Sequence, residues 1–140
     1  MDKAASYQKS IKASTKNLSD IRKFVSKYAE EHGFTQDQIS DIRLAVDEAA
    51  TNIIKHGYKN DDTQTLTLKL EFDDEKLNVT LTDQGVSFDL KKYKSPDIRQ
   101  QIEKRKRGGM GIRLMKNLMD DVSYNVQNQK NVLKMSKNRN

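Results

Sequence analysis

The spacing of the apolar residues changes along this chain from a helical to an alternating pattern, and that change most constrains its fold. In residues 17–32 and 35–57 the apolar residues recur every three or four positions, which is typical of amphipathic helices. They are Leu18, Ile21, Phe24, Val25 and Tyr28 in the first segment, and Ile39, Ile42, Val46, Ala49 and Ile53 in the second. We expect Gly33 and Gly57 to end the two helices, and Thr35 or Asp37 to cap the second.

The alternating pattern begins after Gly57 and predicts a hairpin with one buried face. Its apolar residues are Leu66, Leu68, Leu70 and Phe72, then Leu77, Val79 and Leu81 beyond a turn at residues 73–75. We further predict a helix through residues 112–119, short strands at residues 122–126 and 132–135, and an edge strand at residues 7–13. This grouping predicts an α+β two-layer sandwich, in which helices cover one face of a mixed, mostly antiparallel sheet.

The length of 140 residues favours a single domain, residues 1–140. A polar stretch at about residues 84–108 holds the only proline, Pro96, and is expected to be a mobile loop. We expect a frayed tail at about residues 137–140. Because the longest apolar run has three residues and the first residues lack an export segment, we expect a cytoplasmic protein.

The composition narrows the kinds of site that the chain can hold. The chain has no cysteine, which excludes a disulfide framework, a thiolate metal site and a cysteine nucleophile. It has only 2 histidines, which disfavours a metal centre built from several histidines. The formal net charge is +6, from 26 basic and 20 acidic residues. This excess favours an anionic partner such as a nucleotide, a nucleic acid or an acidic protein, without indicating which.

The second predicted helix carries a carboxylate and an amide one turn apart, at Glu48 and Asn52. An amide oxygen can ligate a hard cation such as magnesium while a neighbouring carboxylate accepts a proton. A hydrogen bond on the helix surface explains the same spacing equally simply.

The second strand of the hairpin ends in an Asp-x-Gly motif, Asp83-Gln84-Gly85. Asp83 can accept a hydrogen bond from the exocyclic amine of a purine, and Gly85 would let the backbone approach the ring closely. Ordinary turn chemistry at a strand end is the alternative explanation.

A third motif, Gly108-Gly109-Met110-Gly111, follows a run of basic residues that ends at Arg107 and leads directly into a predicted helix. Glycines before a helix expose backbone amides, and the helix end adds partial positive charge, which together favour a phosphate chain. The motif lacks the lysine and hydroxyl of a P-loop, so a flexible hinge is the alternative.

The three motifs occur in the order and spacing of the ATP-binding domain shared by gyrase, the heat-shock 90 chaperones and histidine kinases, the GHKL superfamily. Over about residues 10–137 the chain most resembles the small bacterial anti-sigma factors that are also serine protein kinases. The resemblance implies a Bergerat-type ATP-binding fold, with ATP and Mg²⁺ as cofactors and the loop at residues 84–108 as a lid over the nucleotide.

The resemblance also implies a role for each motif. Glu48 would be the general base, Asn52 the magnesium ligand, and Asp83 and Gly85 the residues that recognise adenine. At the far end of the lid the implied phosphate-binding residues are Gly109, Met110 and Gly111, with Arg107, Arg105 and Lys106 as candidates for offsetting charge. A solvated basic loop is the alternative explanation for these three cations. His56 would be a structural residue at a helix end, and Phe88 would pack near the base of the lid.

The chain departs from the family pattern before its last strand. The family often has Gly-Thr there, whereas this sequence has Lys130-Asn131. The threonine contact is therefore in doubt, although Asn131 could still offer a hydrogen bond.

The function implied by the resemblance is that of an ATP-dependent serine protein kinase and anti-sigma factor. It would phosphorylate a serine of a small antagonist protein and bind a sigma factor, without contacting nucleic acid or membrane, and it would form a homodimer. The alternative is a non-catalytic ATP-binding interaction switch of the same fold, for which Glu48 is the discriminating residue. Only the net positive charge suggests a nucleic-acid binder. Aromatic residues make up 6% of the chain and are not spaced regularly enough to form a platform for stacking bases.

Overall fold

The structure, a computed structural model, describes residues 4–85 and 111–139. Five strands form the sheet: β1 (Ala5–Lys12), β2 (Thr65–Phe72), β3 (Lys76–Asp83), β4 (Asp121–Gln127) and β5 (Lys130–Asn138). The helices are α1 (Leu18–Glu31), α2 (Gln36–Asn52) and α3 (Gly111–Leu118). A 3-10 turn (Thr15–Asn17) precedes α1, and a π-helical turn (Ile53–Gly57) follows α2.

The five strands lie in the order β1-β2-β3-β5-β4. Each pair is antiparallel. The predicted α+β sandwich with a mostly antiparallel sheet is confirmed, but the parallel pairing implied by a mixed sheet does not occur among the described strands. The reason lies in the long connection through α1 and α2, which returns the chain antiparallel beside β1.

The core lies between the sheet and the helices. As the alternating pattern predicts, the apolar residues of the hairpin are fully or almost fully buried: Leu66, Leu68, Leu70, Phe72, Leu77, Val79 and Leu81. The helices contribute Ile21, Val25 and Ala29 from α1, and Ile39, Ile42, Val46 and Ala49 from α2. Because α2 contacts both α1 and α3, it forms the centre of the helical layer.

The two ends of α2 are built differently. At the start, Thr35 is the cap: its Oγ1 accepts a hydrogen bond from the backbone N–H of Gln38, and Gln38 Oε1 accepts one from the N–H of Thr35. At the other end the regular α-helix stops at Asn52, and the chain reaches Gly57 through the wider π-helical turn. The predicted helix end at Gly57 therefore marks the end of that turn.

Two predictions about the chain ends have different outcomes. The edge strand is confirmed, since β1 pairs along its length with β2. The frayed tail is wrong as far as Asn138, because β5 continues to that residue. The N–H of Asn138 donates to Asp120 Oδ2 (2.6 Å), and the N–H of Arg139 donates to the Glu75 carbonyl (2.9 Å). These hydrogen bonds, one to a side-chain carboxylate and one to a backbone carbonyl, hold a segment that has few apolar residues of its own.

The predicted loop at residues 84–108 lies outside the described residues beyond Gly85. The single-domain assignment stays a prediction. Within residues 4–85 and 111–139, the helices are too short or too polar to cross a bilayer.

The turn between β4 and β5 suggests a stabilising substitution. Asn128 and Gln129 have φ angles of 51° and 65°, so both adopt the left-handed conformation that favours glycine or asparagine. We expect Gln129→Gly to raise the free energy of unfolding by about 0.5–1 kcal/mol, because glycine relieves a left-handed backbone. Urea unfolding would measure this change. Gln127→Gly, an exposed strand residue, is the control and should lower stability; an equal loss in both variants would contradict the prediction.

Candidate functional site

Two of the residues singled out from the sequence lie together on the last turn and a half of α2. Glu48 is half-buried, whereas Asn52, the final residue of the helix, is only 4% exposed. Their spacing of four residues places them on the same side of the helix. A buried amide beside a half-buried carboxylate differs from two side chains on a solvated helix surface.

The surroundings of Glu48 make it a better proton acceptor than an exposed glutamate. Burial and, to a smaller extent, the carboxylate of Asp47 raise its pKa, while the charge of Lys55 opposes the shift. Asp47 is itself paired with Arg22 of α1, with 2.6 Å between Nη1 and Oδ1. A raised carboxyl pKa moves a base closer to neutral pH, where general-base catalysis is most effective.

Asp83 lies at the end of β3, directly opposite Asn131 in β5. Both are nearly inaccessible, with 5% and 2% of their surface exposed. Asp83 Oδ1 accepts hydrogen bonds from Asn131 Nδ2 (2.9 Å) and from the Gly85 N–H (2.8 Å). Burial raises the pKa of Asp83, and these two hydrogen bonds oppose the shift.

Asn131 also donates from Nδ2 to the carbonyl of Gly85, over 2.8 Å. The residue that departs from the family pattern is thus hydrogen-bonded to both ends of the Asp-x-Gly motif. Sequence reasoning left its role open, because the pairing of Asp83 with Asn131 depends on the register of strands 48 residues apart.

Gly85 is in contact with the backbone of Gly57. A Cβ atom built on Gly85 would lie 2.5 Å from both the carbonyl carbon and the oxygen of Gly57. The requirement for glycine therefore arises within the protein, in addition to any need of a bound ring. Since Gly57 ends the turn that follows Asn52, this contact brings the end of α2 against the end of β3.

Tyr58 is a residue of this site that sequence reasoning missed. It is 8% exposed, and its hydroxyl bridges the Thr65 carbonyl and the Gln84 N–H. The sequence signal was the His56-Gly57-Tyr58 run, in which only the histidine was considered. His56 is exposed in the π-helical turn.

Of the glycine-rich motif, Gly111 lies within the described residues. Gly111 is the first residue of α3, which packs against α2. The candidates Arg105, Lys106, Arg107, Gly109 and Met110, and also Phe88, lie outside the described residues. Their roles toward phosphate or at the lid stay predictions.

The contact at Gly85 predicts a specific sensitivity to added volume. We expect Gly85→Ala to lower the free energy of unfolding by about 1–3 kcal/mol, because the methyl group meets backbone atoms that cannot move aside. Gly33→Ala is the matched control: its Cβ meets nothing within 4 Å, and its φ of 82° accounts for a cost of about 1 kcal/mol. Urea unfolding of both variants tests this, and a smaller loss for Gly85→Ala than for Gly33→Ala would contradict it.

Comparison with known proteins places the chain in a family. The model of the histidine kinase-like ATPase domain matches residues 11–137. A serine-protein kinase RsbW of Bacillus cereus (strain B4264) is 32% identical over 126 residues, which cover 87% of this chain and 78% of the relative. A serine-protein kinase RsbW of Listeria monocytogenes serotype 4a (strain HCC23) is 36% identical over 102 residues, or 70% of this chain and 65% of the relative.

A solved structure supports the fold. The crystal structure of the RsbU and RsbW domains of a Mycobacterium tuberculosis protein superposes with a TM-score of 0.69 over 95% of this chain. This chain spans 32% of that longer one, and the identity is 14%, so the likeness concerns the fold alone.

The family model and the two RsbW relatives agree with the resemblance that the sequence motifs indicated. They confirm the predicted superfamily and the predicted class of enzyme, a serine-protein kinase. The chain belongs to the histidine kinase-like ATPase domain family and, within it, to the group of the RsbW serine-protein kinases.

Proposed function

We propose that this protein is an ATP-dependent serine kinase and anti-sigma factor that phosphorylates a serine of a small antagonist protein. The observation that carries the proposal is the contact of Gly57 with Gly85. It joins the helix end that bears Glu48 and Asn52 to the strand end that bears Asp83. This contact supports our assignment of the groups suited to phosphoryl transfer and those suited to base recognition to one site.

Recognition of adenine would use the carboxylate of Asp83. Its Oδ1 is engaged by Asn131 and by the Gly85 N–H. Oδ2 is therefore the oxygen that we assign to the 6-amino group of the base. Because the carboxylate is buried, a hydrogen bond to it would contribute strongly to selectivity for a base with an amine at this position.

Phosphoryl transfer would use the end of α2. Asn52 is buried and has an amide oxygen, a kind of ligand that suits magnesium when phosphates complete its coordination. A bound magnesium ion would neutralise charge on the triphosphate. Glu48 would accept the proton of the substrate serine while the serine oxygen bonds to the γ-phosphorus. The bond between that phosphorus and the bridging oxygen of ADP would break in the same step. Backbone amides at Gly109, Met110 and Gly111, with Arg107, would bind the phosphates.

The remaining assignments follow from the family. A sigma factor and a phosphorylatable antagonist are the proposed partners, and a homodimer is the proposed assembly. A cytoplasmic location stays a prediction. The non-catalytic switch would show ATP affinity without phosphoryl transfer, so the next experiment separates it from the kinase.

Glu48→Gln tests the role of the base. We expect phosphoryl transfer to fall by about 10²- to 10⁴-fold while the Kd for ATP stays within about twofold, because a base acts on the chemical step rather than on ground-state binding. Transfer from labelled ATP to candidate antagonist proteins would be measured, with serine-to-alanine versions of those proteins as blanks. The wild-type rate should fall toward acid as Glu48, with its raised pKa, becomes protonated.

Two controls accompany this variant. Glu30→Gln removes an exposed carboxylate of α1 and should leave the rate unchanged. Asn52→Ala should abolish the dependence of ATP binding on magnesium. If Glu48→Gln transfers phosphate at the wild-type rate, Glu48 is not the base; if the wild type binds ATP but modifies no candidate, the switch function is favoured.

Asp83→Asn tests adenine recognition and its energetic cost. We expect calorimetry to show that the preference for ATP over GTP is lost. Because burial raises the pKa of Asp83 in the folded state, the ionised carboxylate destabilises the fold at neutral pH, whereas the protonated form does not. Asp83→Asn should therefore unfold at a higher urea concentration at pH 7, and this advantage should vanish as pH falls below the ordinary carboxyl range.

Asp73→Asn is a control for which we expect the opposite change in stability at neutral pH. Backbone hydrogen bonds from Glu75 and Lys76 lower the pKa of Asp73, so its ionised form stabilises the fold above its ordinary pKa and this stabilisation is lost on acidification. The substitution should reduce stability at neutral pH and leave ATP selectivity intact. Unchanged selectivity in Asp83→Asn would contradict the assignment of the adenine site.

A further inference from the structure

We propose that Tyr58 is a positioning residue for nucleotide binding, whose hydroxyl holds the Asp83-Gln84-Gly85 segment in the conformation that recognises adenine. The inference rests on the proposed function, since it concerns how this chain builds the adenine end of the same site. It assigns a task to a side chain that does not need to touch the nucleotide.

The hydroxyl of Tyr58 joins two backbone segments. It donates to the carbonyl of Thr65, the first residue of β2, over 2.6 Å, and accepts from the N–H of Gln84 over 2.7 Å. A phenol has one hydrogen, so a carbonyl on one side and an N–H on the other satisfy it with a fixed polarity. A phenylalanine at this position would leave both backbone groups without that partner.

The bridge is located where the sheet no longer supports the chain. The pairing of β3 with β5 ends at Asp83 and Asn131, and Gln84 is the next residue. Asn131 holds the residues on either side of Gln84, through Asp83 Oδ1 and the Gly85 carbonyl. Tyr58 holds Gln84 itself, so each residue of the motif is tied by a side chain from outside β3.

The backbone of Tyr58 connects this segment to the helix end. The N–H of Tyr58 donates to the carbonyl of Ile53, the residue after Asn52, over 2.7 Å. Its neighbour Gly57 contacts Gly85. The pair Gly57-Tyr58 therefore contacts two consecutive residues of the motif, and it sets the spacing between the helix end and the adenine end.

The electrostatic environment is consistent with this task. Burial and the charge of Asp83 raise the pKa of Tyr58, while the hydrogen bond from Gln84 opposes the shift. The hydroxyl therefore keeps its proton, and with it the bond to Thr65, throughout the neutral range.

The test compares two nucleotides in Tyr58→Phe. By calorimetry, we expect the affinity for ATP to fall about tenfold, as for one lost hydrogen bond that holds a buried acceptor in place. The affinity for purine riboside triphosphate, which lacks the 6-amino group, should fall less than twofold. In an Asp83→Asn background, Tyr58→Phe should have no further effect on ATP, because the residue through which it acts has been removed.

One control variant isolates the bridge. Tyr7→Phe removes another part-buried tyrosine hydroxyl, which is hydrogen-bonded to His32 Nε2 (3.0 Å). Tyr7 pairs with Leu70, well along β2 from Thr65. This variant should bind ATP like the wild type.

The outcomes separate the inference from the proposed function. A wild type that binds ATP no better than purine riboside triphosphate overturns the proposed function and the inference with it. The inference alone is overturned if the wild type is selective for ATP but Tyr58→Phe loses affinity for both nucleotides equally, or loses no affinity for ATP. If Tyr58→Phe does not fold, hydrogen exchange in the wild type decides: the Gln84 amide should be protected, and exchange at the rate of a free amide would overturn the bridge.

Discussion

The approach of two backbones at Gly57 and Gly85 is the constraint on which this site depends. Any side chain at Gly85 would enter the volume of the Gly57 carbonyl group, so the helical layer and the sheet meet here without a spacer. The neighbouring Tyr58 adds hydrogen bonds to Gln84 and to the start of β2. Together these contacts hold the end of α2, which bears one motif, against the end of β3, which bears the other.

The site has an electrostatic cost that the rest of the fold offsets. Burial raises the pKa of both Glu48 and Asp83, so ionised carboxylates at these places work against folding at neutral pH. Hydrogen bonds from Asn131 and Gly85 reduce the cost for Asp83, and a core of leucine, isoleucine and valine side chains supplies the stability. Carboxylates kept at such a cost are expected where a proton or an amine must be bound.

Periodicity was sufficient to predict most of the fold. The hairpin follows from strict alternation, because a strand with one buried face must repeat every two residues. The helices follow in the same way from the recurrence of apolar residues every three or four positions. Periodicity did not predict the ordered tail, where the N–H of Asn138 donates to the carboxylate of Asp120, or the π-helical turn at the end of α2. Hydrogen bonds that involve backbone groups do not change the spacing of apolar residues.

For the site, the residue types and their order along the chain were enough to identify the family, the nucleotide chemistry and the candidates Glu48, Asn52, Asp83 and Gly85. Three-dimensional packing was needed to find Asn131 beside Asp83, Gly57 against Gly85 and Tyr58 between Thr65 and Gln84. The reason is physical. A motif consists of residues that are close in the sequence, whereas Asn131, Gly57 and Tyr58 each contact the Asp83-Gln84-Gly85 segment from a distant part of the chain. These contacts form only when strand register and helix packing bring the segments together.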